Sequence, residues 1–332
     1  MERSCNISST LRLVVIGAVA VTAVFLGCDK SFDPRGSLDD QMVVFSVLST
    51  DRTAQLVRVQ TSYMPQGFDP LTYTTENFLR DAIVSINTSS GSYLMRDTLL
   101  YLPDTTRYKP PTRAYVLDPF SPVYGETCEI VVQSTRHGVA YSSVVIPSQS
   151  KISIDPLQIQ VLDRPENYSK DTRITFVAQL SNNAQGYVCR LYLYYDVLKG
   201  TKYVEERVEV PITSTDPSVF SLDTPIYPRL ASVPQTFKIG STYKNGYYKA
   251  TVSAITSRYR SKLIFKWATF VVLQADNNLF RYYLTTHPDQ DPFSIRLDQP
   301  LFSGLNGGLG MVGAYSLDSL VDLLPGNFWG NR

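Results

Sequence analysis

Apolar and polar positions alternate through most of this chain, in short runs broken by Gly, Pro, Ser and Asp. Residues 42–48 are apolar and rich in valine, and residues 56–60 follow a turn at Thr50-Asp51-Arg52. Residues 82–86 alternate, and Ser89-Ser90-Gly91-Ser92 turns the chain into Tyr93-Leu94-Met95. Residues 113–117, 128–132 and 139–146 complete a first series. Short strands at this spacing predict an antiparallel sandwich. Pro147 and Pro156 bracket a boundary, and a second series follows over 152–162, 172–180, 186–197 and 202–210. In residues 186–197, Tyr187, Cys189, Leu191 and Leu193 fall on one face, with Arg190, Tyr192 and Tyr194 on the other. Residues 246–255 and 263–273 read as a hairpin across 256–262. One helix is expected, starting near Ala275 with Asp276 as N-cap, carrying Leu279, Tyr282 and Tyr283 at spacings of three and four, and stopped by Pro288. The expected fold is all-β: two β-sandwich-like domains with one short helix near the C-terminus. Residues 41–148 make an immunoglobulin- or fibronectin-like domain. Residues 149–332 make a second β-rich domain ending in a glycine-rich strand.

The N-terminus breaks this pattern. A basic start with Arg3 and Arg12 precedes an apolar run over 13–26, which ends in Phe25-Leu26-Gly27-Cys28. The run is shorter than the ~20 residues a spanning helix needs, and it suits the apolar core of a secretory signal. The last four residues resemble a bacterial lipobox, although Phe25 and Leu26 depart from its preferred residues. That resemblance implies cleavage after Gly27 and a diacylglycerol on the sulfur of Cys28. An uncleaved anchor and an ordinary secretory signal are the alternatives, and Phe25 three residues before the break argues against the latter. Residues 1–27 are then a signal peptide and residues 28–40 a polar tether containing Pro34 and Gly36. The localisation expected from this is the cell envelope, at the outer membrane, with attachment through lipid on Cys28.

Composition narrows the function classes. Only 18% of residues are charged and 12% are aromatic, so the chain can bury a core. The net charge of +1 gives no footing for a nucleic-acid partner. Besides Cys28, the region after the signal holds Cys128 and Cys189, each in a strand-like run, and these read as two separate buried thiols, with a disulfide between them, which an oxidising compartment permits, as the alternative.

The sequence carries only fragments of catalytic and cofactor motifs. Gly308, Gly310 and Gly313 have the letters of a dinucleotide fingerprint, but no βαβ unit precedes them and the sequence ends too soon for the acid expected about 20 residues later. They read instead as glycines serving tight turns or close packing in a terminal strand. The two histidines, His137 and His287, lie in different halves, which disfavours zinc. No Gly-x-Ser-x-Gly elbow occurs. Asp289 and Asp291 begin no EF-hand, since Ser294 and Pro300 replace its glycine and glutamate. No catalytic, metal-binding or cofactor-binding residue is therefore assigned. Tyrosine pairs at Tyr194-Tyr195, Tyr247-Tyr248 and Tyr282-Tyr283 are expected to send one ring inward and its neighbour elsewhere. They serve either as strand residues or as an exposed binding surface.

The C-terminal region carries a further resemblance. Leu279-Phe280-Arg281-Tyr282-Tyr283-Leu284 leads to Asp291-Pro292-Phe293 and then to the glycine-rich stretch from Asn306 to Tyr315. Upstream, Ala82 to Ile86 before Gly91, Tyr124 to Ile130, and Val144-Val145-Ile146-Pro147 agree. This set resembles a Bacteroidota lipoprotein family known as domain of unknown function 4249. Gly125 stands where that family more often has Pro-Gly. The resemblance implies a lipoprotein signal, an N-terminal β-sandwich and a second β-rich part. It also implies gene neighbourhoods shared with TonB-dependent outer-membrane transporters, and it brings no catalytic residues. The expected function is that of a membrane-anchored, non-enzymatic accessory or interaction protein, partnering such a transporter. The alternative is a surface module that binds a glycan or peptide. A hydrolase is the third class, disfavoured by the poor catalytic inventory.

Overall fold

The computed structural model describes residues 40–62, 77–101, 112–154, 173–211, 222, 226, 229–260, 263–286 and 303–322. The alternating runs of the first half become β1 (Met42–Ser49), β2 (Gln55–Thr61), β3 (Ile83–Thr88), β4 (Gly91–Leu94), β5 (Arg96–Leu100), β6 (Thr112–Leu117), β7 (Thr127–Ser134) and β8 (Gly138–Val145). Those of the second become β9 (Lys151–Ile154), β10 (Arg173–Gln179), β11 (Gly186–Lys199), β12 (Lys202–Val210), β13 (Ala231–Ser232), β14 (Lys238–Lys244), helix α1 (Asn245–Tyr259), β15 (Leu263–Ala275), helix α2 (Asn277–Thr286) and β16 (Leu309–Asp322). The all-β class with a short helix near the C-terminus is the fold observed.

One large sheet runs β12-β11-β15-β16-β1-β2-β6-β5, with β13 added beside β11. A four-stranded sheet, β4-β3-β7-β8, and a three-stranded sheet, β14-β10-β9, accompany it. Two cores result. In the first, Met42, Val44, Val57 and Val59 meet Val84, Ile86, Ile130 and Val132. In the second, Leu191, Leu193, Phe270 and Val272 meet Ile174, Phe176 and Tyr243, with Ile255 of α1. Phe176 stacks on Phe270 at 4.4 Å, and Tyr243 stands edge-on to both rings.

The sandwiches share the large sheet. β16 pairs parallel with β1 and antiparallel with β15, and so joins strands from both halves. Strand alternation then divides its side chains. On one face Val312 and Ala314 enter the first core, Ser316 and Asp318 lie buried, and Leu320 packs on the second core. Residues 149–332, expected as a domain of their own, thus lend their terminal strand to the core of residues 42–146 as well as to their own.

Between the two cores sits a buried polar node. Gln274 Nε2 donates to Ser148 O at 3.0 Å, to Ser316 Oγ at 3.2 Å and to Asp318 Oδ2 at 3.3 Å. Gln274 Oε1 accepts from Ser181 N at 2.6 Å. Asp318 Oδ2 also accepts from the backbone N and the hydroxyl of Ser150, and Oδ1 accepts from Tyr124 at 3.1 Å. The node fastens the link after β8 to β15 and β16.

Two expectations need correction. Residues 246–255, expected as a hairpin strand, belong to α1, so the described residues hold two helices. Tyr247, Tyr248, Thr251 and Ile255 are buried at helical spacing. Thr251, which reads as polar, is fully buried and donates to Tyr247 O at 2.9 Å, hiding the period of the apolar face. Consequently Tyr247 and Tyr248 both point inward, against the expectation of one ring in and one elsewhere.

Helix α2 starts where the sequence placed it. Asp276 caps it, with Oδ1 accepting from Leu279 N at 2.9 Å and Oδ2 from Asn278 N at 3.2 Å. Oδ1 also accepts from Ala314 N at 2.9 Å, which ties the helix start to β16. Burial raises the Asp276 carboxyl above the usual range, opposed by these three N–H donors.

Candidate functional site

The outward face of the large sheet, under α2, carries the candidate site. Alternation along β11 turns Val188, Arg190, Tyr192 and Tyr194 outward while Cys189, Leu191, Leu193 and Tyr195 go to the core. The antiparallel register sets Leu273 of β15 beside Val188, Val271 beside Arg190, and Thr269 beside Tyr192. The rows continue on β16, where Leu317 lies beside Leu273 and Ser319 beside Val271. On the other side, β12 places Glu209 opposite Tyr192 and Arg207 opposite Tyr194. Leu279, Tyr282 and Tyr283 of α2 form the wall. Together they enclose a groove of about 630 Å³, within the ~300–1,000 Å³ range of ligand sites.

Close packing beneath the helix fixes that wall. A Cβ on Gly313 of β16 would come within 2.8 Å of Leu279 Cβ and 3.0 Å of its backbone. A Cβ on Gly186, at the start of β11, would run into the Phe280 ring. Tyr282 stands edge-on to Phe45 of β1 at 6.2 Å.

The chemistry of the groove is concentrated at the β11–β12 end. Arg190 donates to the Tyr192 hydroxyl at 2.9 Å and lies 3.4 Å from Glu209. Arg207 donates to the Tyr194 hydroxyl at 3.3 Å, and its guanidinium sits 4.7 Å over the Tyr192 ring. Tyr194 stacks on Trp267 at 5.7 Å. Desolvation raises the Glu209 carboxyl above its ordinary range, against the opposing pull of Arg190 and Arg207. Among the described residues, those lining the groove include two arginines, four tyrosines and one carboxylate, Asp51, and no histidine or cysteine.

A family model described as "Domain of unknown function (DUF4249)" matches residues 29–320. The chain belongs to the DUF4249 family. No curated protein matches it.

In this DUF4249 member the glycine motif serves packing. Gly310 has φ +112°, and a Cβ there would overlap the carbonyl oxygen of Val44 on β1. Gly308 immediately precedes β16, and Gly310 and Gly313 lie within it, so the motif opens a strand and not a helix. NAD and ATP are accordingly expected to leave the melting temperature unchanged, since a ligand that does not bind the native state cannot shift it. A clear thermal shift would revive a nucleotide site.

The other residues singled out from the sequence do not converge. Cys28, His287, Asp289 and Asp291 lie outside the described residues. Among the described residues, no group of three or more His, Cys, Asp or Glu could hold a metal ion, and no helix is long and apolar enough to cross a membrane. His137 lies in a line of groups that imitates a catalytic triad: its Nδ1 is 3.4 Å from Ser134 Oγ and its Nε2 is 3.1 Å from Asp40. The Ser134 proton is directed elsewhere, to Asp81 at 3.1 Å, while Ser134 Oγ accepts from the backbone N–H groups of Arg136 and His137. That is the bonding of a turn cap between β7 and β8.

Cys128 and Cys189 are free and belong to different cores. Burial pushes both thiols up to about 12, so little thiolate forms near neutral pH. Native protein with acylated Cys28 is expected to show no reaction with a disulfide reagent at pH 8. After denaturation without reductant, two thiols should titrate. Recovering them only after reduction would mean a bridge between Cys128 and Cys189.

The sequence supplied Arg190, Tyr192, Tyr194, Tyr282 and Tyr283 to this groove. It missed Arg207, which depends on the register of the β11–β12 hairpin, and Thr269, Leu317 and Ser319, which depend on the register of strands distant in sequence.

Proposed function

We propose that this protein is a lipid-anchored envelope protein, held at the outer membrane through an acylated Cys28, and that its work is recognition without catalysis. The groove beneath α2 carries the recognition half of this reading. It is large enough for a ligand, mainly apolar, and furnished with directed O–H and N–H donors at one end. The support for anchoring is the apolar run that ends in Phe25-Leu26-Gly27-Cys28. Several acyl chains give the stable attachment that one does not.

A second reading, partnership with a TonB-dependent outer-membrane transporter, draws on a different surface. On the outer face of β3, β4 and β8, Ile83, Leu94, Val139 and Tyr141 are between 45% and 66% exposed. Apolar clusters of this kind on a sheet face suit a protein partner.

Radiolabelled fatty acid should enter the wild-type protein and not Cys28→Ser, and the variant should leave the membrane fraction. An unlabelled wild type would remove the anchoring half. Affinity purification from solubilised membranes then separates the two surfaces. Loss of the bound material in the Tyr192→Ala/Tyr282→Ala variant supports the groove. Loss of a transporter in the Leu94→Glu/Tyr141→Glu variant supports the sheet face. Indifference to the groove substitutions would overturn recognition there.

A further inference from the structure

The donors at the β11–β12 end are set for one kind of group. The Tyr192 and Tyr194 hydroxyls accept from Arg190 and Arg207, so each phenol has its own proton left to donate. One ring face of Tyr192 is covered by Arg207, and one of Tyr194 by Trp267. One face of each ring is thus already occupied, which leaves less aromatic surface for a sugar ring than a bare platform offers, while the hydroxyl edges remain as donors. Glu209 engages one edge of Arg190, and a guanidinium has five N–H donors. Two guanidinium groups with two phenol protons match a carboxylate, which only accepts hydrogen bonds.

The rest of the groove describes what lies behind that carboxylate. Val271, Leu273 and Leu317 give an apolar floor, and Thr269 and Ser319 set hydroxyls among them. A bare alkyl chain offers those hydroxyls no partner, whereas a peptide backbone does. Asp51, in the turn after β1, closes the far side. The sheet order places β1 four strands from β12, about 19 Å at ~4.8 Å per strand. Six extended residues cover that distance at ~3.3 Å each.

We infer that the groove binds the carboxyl-terminal segment of an apolar peptide, with its carboxylate at Arg190 and Arg207 and a cationic group near Asp51. The inference rests on the recognition reading above and gives it a ligand class.

Calorimetry on the full lipoprotein in nanodiscs tests it. The probe is a six-residue peptide, lysine first and apolar thereafter, with a free carboxylate. It should bind saturably, and its C-terminal amide should bind at least about tenfold more weakly, the scale of a hydrogen-bonded charge. The Tyr192→Phe/Tyr194→Phe variant should lose about tenfold for the acid and nothing for the amide. A merely structural role would weaken both. Asp51→Asn should weaken the lysine peptide several-fold and leave its acetyl-lysine counterpart unchanged. Equal binding of acid and amide overturns the proposal, as does tighter binding of octanoate than of the peptide. Binding of a malto-oligosaccharide without the peptide overturns it and leaves groove recognition standing. If nothing binds, the peptide assignment falls. The Tyr192→Ala/Tyr282→Ala purification then decides separately whether groove recognition falls with it.

Discussion

Gly310→Val is expected to destabilise the protein by about 4 kcal/mol or more, an exceptional value for one substitution. Two effects combine. At φ +112° an L side chain is strained wherever it sits, and here the added Cβ would also overlap Val44 O. Relief requires β16 to move away from β1 near the start of their parallel pairing, where Gly310 is the register partner of Val44. At about 2–4 °C per kcal/mol for a domain of this size, the melting temperature should fall by at least about 8 °C. Gly200→Asn is the control. Gly200 also has positive φ, at +64°, but nothing lies within 4 Å of a Cβ there, so a loss below about 1 kcal/mol is expected, since Asn tolerates this region. Melting curves for the two variants separate backbone strain from close approach. A Gly310→Val protein as stable as wild type would mean that β16 is not held against β1 in solution.

Asp318→Ala should have the second largest effect. The substitution removes an acceptor from Ser150 N, Ser150 Oγ, Gln274 Nε2 and Tyr124. Buried donors left unpaired cost about 1–3 kcal/mol each, and some can turn to other partners, so a net loss of about 3 kcal/mol is expected. Asp318→Asn retains one oxygen for Ser150 and should lose about 1 kcal/mol, the worth of an ordinary hydrogen bond. Denaturant unfolding of both variants checks the ordering. The prediction fails if alanine and asparagine are equally mild. Pairing Asp318→Ala with Gln274→Leu should give a non-additive result, since contacting residues couple by about 0.5–3 kcal/mol.

Much of this fold was legible where local pattern and long-range structure agree. Residues 186–197 alternate so clearly that the two faces of β11 follow from periodicity, including the outward placement of Arg190, Tyr192 and Tyr194. Asp276 was readable as a cap because a carboxylate before an amphipathic run has a local partner to satisfy. Residues 246–255 failed for a physical reason. Their tyrosines, Val252 and Ile255 favour strands, and the helical face is completed by Thr251, buried despite its hydroxyl. The groove was half legible. Tyr282 and Tyr283 could be placed on a helix, but no local signal told that Gly313 lets that helix press against β16, and Arg207 falls opposite Tyr194 only through the exact register of the hairpin turn at Gly200-Thr201. Family membership adds the span of the resemblance and no chemistry, so the donors of the groove rest on geometry alone.

The position of β16 has a consequence for how the chain is assembled. Its neighbours in the sheet, β1 and β15, precede it in sequence, and β1 does so by more than two hundred and sixty residues. A chain synthesised only as far as residue 300 holds two open strand edges that face a missing partner, and such edges template pairing with other chains. Folding must wait for the most distant contact in the sheet, which makes it slow, and an arrested or clipped chain is exposed to aggregation and proteolysis for as long as it waits. Completion of the sheet is in this sense a test of synthesis: only a chain made through to its last described strand closes both sandwiches, seats α2 and acquires the groove.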